Sequence, residues 1–90
     1  MPKVRFTTAL KRFFPNLAPE TVPGHTVADV LAELDIRYPG LCDYLVDEQG
    51  SLRQHVNVYV GEQLVADRQH LSDALQDSDE VLIFQALSGG

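Results

Sequence analysis

The chain has a single cysteine, Cys42, so no internal disulfide can staple it, and its three scattered histidines give that thiol no zinc-ligand spacing. It also lacks any long apolar run, which excludes a transmembrane helix. The opening Met-Pro-Lys-Val-Arg-Phe has no apolar stretch behind its basic residues and does not read as a signal peptide, so a cytoplasmic location is expected. Basic residues are scarce: 7 Lys and Arg stand against 13 Asp and Glu, for a formal net charge of -6. That balance opposes the phosphate contacts that dominate nucleic-acid affinity, so neither nucleic acid nor a membrane is an expected partner.

What is there fits one small globular domain. Ninety residues support a single hydrophobic core, and 44% apolar with 22% charged residues lies in the ordinary globular range. Lys3, Arg5, Lys11 and Arg12 open the chain, whereas twelve of the thirteen acids lie from Asp29 onward. The C-terminal half is therefore expected to suit a basic protein surface.

Val4, Phe6 and Thr8 alternate with Arg5, Thr7 and Ala9, which predicts a half-buried strand over roughly residues 3 to 9. Pro15, Pro19, Pro23 and Gly24 leave room in Lys11 to Gly24 only for a loop and a short edge strand near Glu20 to Val22. Thr26 then precedes Val27, Val30, Leu31 and Leu34 at helical spacing, with Asp29 placed as in a capping box. Pro39-Gly40 stops this helix, and a short helical turn is predicted over Leu41 to Val46. His55 to Val60 alternates as a strand, Gln63 to Val65 is its short partner, and Val81 to Gln85 is the last strand after the acidic turn Asp77-Ser78-Asp79-Glu80. A helix across one face of a mixed sheet buries these apolar faces economically.

Four segments carry a family resemblance: the helix start Thr26-Val27, the strand Val56-Asn57-Val58-Tyr59-Val60, the run from Leu75 to Val81, and the terminal Gly89-Gly90. Together they resemble the MoaD/ThiS family of ubiquitin-like sulfur carriers over nearly the whole chain. The resemblance implies an α+β, β-grasp fold: a mixed sheet of four to five strands with one main helix, residues 1–84 as the body and 85–90 as a C-terminal tail. Ser78 departs from the family pattern, which has glycine in that turn, and so bears on the turn's geometry. The tail Gln85-Ala86-Leu87-Ser88 also departs from the proline-containing tail of many members. The segment from Pro39 to Arg53 is similar to the longer carriers that serve cysteine biosynthesis.

The resemblance implies a chemistry in which the chain is a cosubstrate, not an enzyme. An adenylating enzyme of the ubiquitin-activating type uses ATP to convert the Gly90 carboxylate into an acyl adenylate, and the carrier itself binds no cofactor. A sulfur donor, an enzyme persulfide or sulfide, then displaces AMP and leaves a thiocarboxylate. A sulfur-accepting synthase, either a cysteine synthase or the large subunit of molybdopterin synthase, takes the sulfur, with a metallopeptidase needed where an adduct forms. Gly89 lacks a Cβ and passes where a side chain would collide, and Ser88 and Leu87 lie along the same partner-bound tail. Extended at about 3.3 to 3.6 Å per residue, Gln85 to Gly90 reach roughly 20 Å.

If Val81 and Ile83 face the helix, Leu82 and Phe84 face the other side of the sheet, and Tyr59 shares that parity. These three are the candidate partner surface. The unbroken apolar run Val81 to Phe84 leaves the opposite register open. Two other functions use the same residues: a protein modifier whose activated Gly90 is attacked by a lysine amine, and a β-grasp binding module with an incidental tail. Cys42 reads as a small buried hydrophobe, His25, His55 and His70 as surface residues, and Asp73, Asp77, Asp79 and Glu80 as turn carboxylates rather than a metal site.

Overall fold

Strand β1 (Lys3–Phe6) buries Val4 completely and leaves Lys3 and Arg5 exposed, as its alternation dictates. The computed structural model describes residues 1–85. The strand ends at Phe6, short of the expected 9, because Ala9 and Leu10 are adjacent and both buried. Neighbours in a strand face opposite sides, so one turn of helix, α1 (Thr8–Lys11), takes over. The Leu10 N–H returns to the Thr7 carbonyl at 3.2 Å, and the N–H groups of Phe13 and Phe14 both reach Leu10, which delivers two aromatic rings to this end of the sheet.

Strand β2 (Glu20–Thr21) is an antiparallel edge on β1, as the prolines around it require. Glu20 ties this edge to the main helix, α2 (Val27–Arg37): its carboxylate accepts from the Tyr38 hydroxyl and from Arg37 Nη1 at 2.7 Å. Those two donors, Tyr38 first, hold the Glu20 carboxyl below its ordinary range. Helix α2 buries Val27, Val30, Leu31 and Leu34, and the Thr26 hydroxyl caps it by accepting from the Asp29 N–H at 3.2 Å. The Asp29 carboxylate reaches back one residue beyond the usual capping box, to the His25 N–H at 3.1 Å. At Gly40 a positive φ of 93° lets the chain reverse directly into α3 (Leu41–Leu45), a conformation that strains any residue with a Cβ.

Strand β3 (Val56–Val60) turns through Gly61-Glu62 into β4 (Gln63–Leu64), and β5 (Glu80–Gln85) closes the chain. The sheet order is β2-β1-β5-β3-β4, with β5 parallel to β1 and antiparallel to β3. This is the mixed five-stranded sheet under one main helix that the resemblance implied. Strand β5 runs through Gln85, the last described residue. The core lies between the inner sheet residues Val4, Val56, Val58, Val81 and Ile83 and the apolar stripe of α2, closed off by Leu10, Leu41 and Leu45. In the sheet β1 and β5 are neighbours, which sets Lys3 opposite Glu80.

The loop before β5 supplies the remaining caps of α2. The Val27 and Ala28 N–H groups donate to the carbonyls of Asp73 and Leu71, at 3.1 and 2.9 Å. Leu71 takes a left-handed φ of 56° to present that carbonyl and is buried while doing so. Two carboxylates shape the loop. Asp73 accepts from the N–H groups of Ala66 and Asp67, and Asp67 accepts from the Ser72 hydroxyl and from the N–H groups of Gln69, His70 and Ser72. The Ser72 hydroxyl foremost, then the backbone donors, lower the Asp67 carboxyl to about 2 from 3.8. A carboxyl lowered in the folded state stabilises it above pH 3.8, and that contribution disappears as pH falls toward about 2. Asp67→Ala is therefore expected to lower Tm at neutral pH and to flatten the acid limb between these pH values. Parallel wild-type and variant curves of Tm against pH across that window would refute the assignment.

Ser78 has no positive φ. The turn closes through the Asp79 N–H on the Gln76 carbonyl at 3.0 Å, with the Asp79 carboxylate accepting the Gln76 N–H at 2.8 Å, so serine fits where the family pattern has glycine.

Candidate functional site

Pairing to two neighbours orients β5. Val81 and Ile83, opposite Val4 and Phe6 on one side and Val60 and Val58 on the other, are fully buried. Leu82 and Phe84 therefore point to the face away from α2, where Phe84 is 37% exposed and Leu82 is half-buried. Tyr59 lies directly opposite Leu82. The structure thus brings together the three candidate surface residues on the outer sheet face, in rows set by register.

Arg5, Leu82, Tyr59 and Leu64 form one continuous row across four strands. Leu64 is 53% exposed, so the apolar strip runs to the edge of the sheet. Sequence reasoning missed Leu64 and Arg5. The signal for Leu64 was the two-residue hairpin Gly61-Glu62, which sets Tyr59 opposite Leu64 once Val60 pairs with Gln63. Beside this row Phe84 stands opposite Asn57, whose side-chain carbonyl accepts from Arg68 Nη1 at 2.5 Å. Arg68 Nη2 also donates to the carbonyls of Arg53 and Val56, both at 2.9 Å. That guanidinium pins the start of β3, and with it the Phe84 end of the strip.

The central position of β5 decides where the chain continues. Its last residue, Gln85, is paired with Val56, and its N–H reaches the Thr7 hydroxyl at 3.4 Å. Its side chain turns to the helix side, where Nε2 donates to the Tyr44 hydroxyl at 2.7 Å. Tyr44 in turn packs against Phe13, Phe14 and His55, with ring centroids 5.0, 5.9 and 6.3 Å away. The root of the tail thus sits between an outer apolar strip and an inner aromatic cluster. Sequence reasoning missed the cluster, because alternation through Ala9 predicts strand and the prolines after Lys11 predict a loop where the α1 turn brings Phe13 and Phe14 to Tyr44. Leu87, Ser88, Gly89 and Gly90 lie outside the described residues.

The other titratable side chains are arranged as structure. Cys42 is half-buried, and burial, followed by the nearby Asp35 and Asp43 carboxylates, pushes its thiol above the ordinary value, away from the nucleophilic thiolate. His25 and His70 are exposed, and His55 is half-buried against Tyr44. Asp73 and Asp79 accept backbone N–H groups, and Asp77 pairs with the N-terminal amine at 3.2 Å. Among the described residues no helix is long and apolar enough to cross a membrane.

The chain is similar to known proteins over this whole framework. It is 35% identical to the sulfur carrier protein CysO of Mycobacterium tuberculosis over 69 residues, 74% of each chain. It is 38% identical to small archaeal modifier protein 3 of Haloferax volcanii over 65 residues, 72% of this chain and 70% of that one. A chain in the crystal structure of the Amycolatopsis orientalis BexX/CysO complex superposes with a TM-score of 0.84 at 27% identity, covering all of both chains. The architecture shared with these structures is the β-grasp fold. The ThiS family model matches residues 4–90, from the first strand through the terminal glycines, and this protein belongs to the ThiS family.

Proposed function

We infer that this chain is a sulfur carrier whose Gly90 carboxylate is adenylated and then converted to a thiocarboxylate. The observation that carries the reading is the terminal Gly89-Gly90, four and five residues beyond the end of a central strand, on a ThiS-family fold whose relatives include proteins named as sulfur carriers. In this reading the chain is a carrier and not a catalyst. It brings one acyl group to its partners, and the partners supply ATP, sulfur and acceptor.

The first partner is an adenylating enzyme. The carboxylate oxygen of Gly90 attacks the α-phosphorus of ATP, pyrophosphate leaves, and the carbonyl carbon becomes electrophilic. Sulfide then displaces AMP to leave the thiocarboxylate directly, or an enzyme persulfide displaces it and a thiol cleaves the resulting acyl disulfide at the donor's sulfur, releasing the thiocarboxylate. The strip formed by Leu82, Phe84 and Tyr59 is the docking surface in this scheme, because it adjoins the strand end from which the carboxylate is presented. Docking there leaves Leu87, Ser88, Gly89 and Gly90 to enter the partner's active site.

The sulfur goes to cysteine. Support for this destination comes from the Pro39 to Arg53 segment, which resembles that of the longer carriers, and from the identity to CysO. The acceptor is then a pyridoxal-phosphate cysteine synthase holding an aminoacrylate. Thiocarboxylate sulfur adds to it, and a metallopeptidase cleaves the resulting carrier-cysteine adduct. Thiocarboxylated chain mixed with the cognate synthase and an activated serine is expected to gain the mass of one cysteine adduct. Absence of that adduct, alongside sulfur delivery to the large subunit of molybdopterin synthase, would overturn the destination.

The likeness to small archaeal modifier protein 3 favours one second reading, in which a lysine amine attacks the activated Gly90 and an isopeptide forms. The nucleophile belongs to the partner, so the two readings share every residue of this chain. They part in the products: a thiocarboxylate in one, conjugates of higher mass in the other.

A further inference from the structure

We propose that Gln85 and Tyr44 form a latch that fixes the root of the C-terminal tail and so sets how the Gly90 carboxylate is presented to the adenylating enzyme. The proposal rests on the carrier reading and assigns two positioning residues to it.

Position 85 is anomalous for its place in the sheet. The inward-facing residues of β5 before it, Val81 and Ile83, are apolar and fully buried. The next inward position holds a glutamine, whose Nε2 donates to the Tyr44 hydroxyl while its Oε1 is buried with no hydrogen-bond partner among the described residues. A buried acceptor without a partner costs stability that methionine, of similar length and apolar, would not. Packing alone therefore disfavours this residue.

What the glutamine supplies is a directed tie. Tyr44 cannot swing away to release it, because Phe13 lies against the tyrosine ring at 5.0 Å and Phe14 and His55 meet it edge-on. On the backbone side, Thr7 accepts the Gln85 N–H, and the Thr7 N–H itself donates to the Ile83 carbonyl at 3.2 Å. Gln85 is thus held from α3 and from the end of β1, while adjacent Phe84 presents its ring on the opposite face. The two faces of one dipeptide do different jobs. Phe84 meets the docked partner, and Gln85 keeps the strand end from peeling off the body as the partner pulls on the tail.

With the latch closed, five residues, 86 to 90, separate the anchored strand from the reactive carbonyl, a span of roughly 16 to 18 Å when extended. Opening it lengthens the tether and releases the direction in which it starts. A mispositioned carboxylate reaches the adenylating site less often, while the displacement at phosphorus is unaltered once it arrives. The latch therefore belongs to KM for the carrier and not to kcat.

Three variants test this: Tyr44→Phe, Gln85→Met and the double variant. Each removes the tie, and Gln85→Met also removes the orphaned acceptor, so its Tm should equal or exceed that of wild type. In ATP-pyrophosphate exchange with the cognate adenylating enzyme, each variant is expected to raise KM by about three- to ten-fold, the worth of one hydrogen bond, with kcat unchanged. The double variant should be no worse than Gln85→Met, because both break the same bond. A merely structural role predicts the reverse pattern, a lower Tm with unchanged KM, and that result would overturn the latch. A second readout needs no enzyme: the Gln85 side-chain amide of the free wild-type chain should exchange its hydrogens slowly, and quickly after Tyr44→Phe. Fast exchange in wild type also overturns the latch. Slow exchange in a wild-type chain that supports no pyrophosphate exchange would uphold the tie and reject the carrier reading instead.

Discussion

Deleting Gly90, or extending the chain by a residue that cannot be removed, is expected to abolish adenylation while leaving the fold unchanged. Adenylation takes place on one carboxyl group. Removing or adding a residue shifts that carboxyl by about 3.3 to 3.6 Å, more than enough to lose alignment with the α-phosphorus of ATP. Gly89→Val acts differently, by placing a branched side chain where the tail must pass. All three changes lie beyond β5 in the sequence, and none alters a core residue of the described body. Pyrophosphate exchange should fall by at least about a hundred-fold, the loss expected when a reacting group is misplaced by more than 1 Å. Tm should match that of wild type. Exchange at the wild-type rate with an extended chain would contradict the acyl-carrier mechanism and favour a β-grasp binding module.

The second large effect separates the two faces of β5. Ile83 is fully buried between Phe6 and Val58 in the central strand, so Ile83→Ala should destabilise the domain by about 2 to 5 kcal/mol. Chemical denaturation reads that loss directly. Phe84, the next residue, is 37% exposed on the outer face, and Phe84→Ala should cost far less stability while weakening binding to the adenylating enzyme. Strong destabilisation by Phe84→Ala with unchanged partner affinity would remove Phe84 from the docking strip.

This contrast marks where the sequence could be read and where it could not. Helix α2 was legible because Val27, Val30, Leu31 and Leu34 fall on one helical face and Thr26 with Asp29 marks its start. Strand β3 was legible because its valines alternate with Asn57 and Tyr59. The facing of β5 was not, since Val81 to Phe84 is apolar throughout. Partners on both sides decide it, and those pairings join residues far apart in the chain. Helix α1 escaped because four residues are too few for a period to show, and Thr8 and Ala9 continue an apparent alternation. With α1 went the aromatic cluster at the tail root. The Gln85 to Tyr44 contact spans 41 positions, and no local pattern announces it.

The terminal glycines were legible as chemistry more than as structure, and so the central claim is best tested on the molecule itself. Intact mass spectrometry of the untagged chain, purified from cells that contain its adenylating enzyme, measures the state of Gly90 directly. A carrier is expected to show a population in which one oxygen is replaced by sulfur, and this population should vanish in the chain lacking Gly90. Only the unmodified mass, under conditions where pyrophosphate exchange shows the enzyme to be active, would contradict the account, and a ladder of lysine conjugates in its place would assign the chain to protein modification.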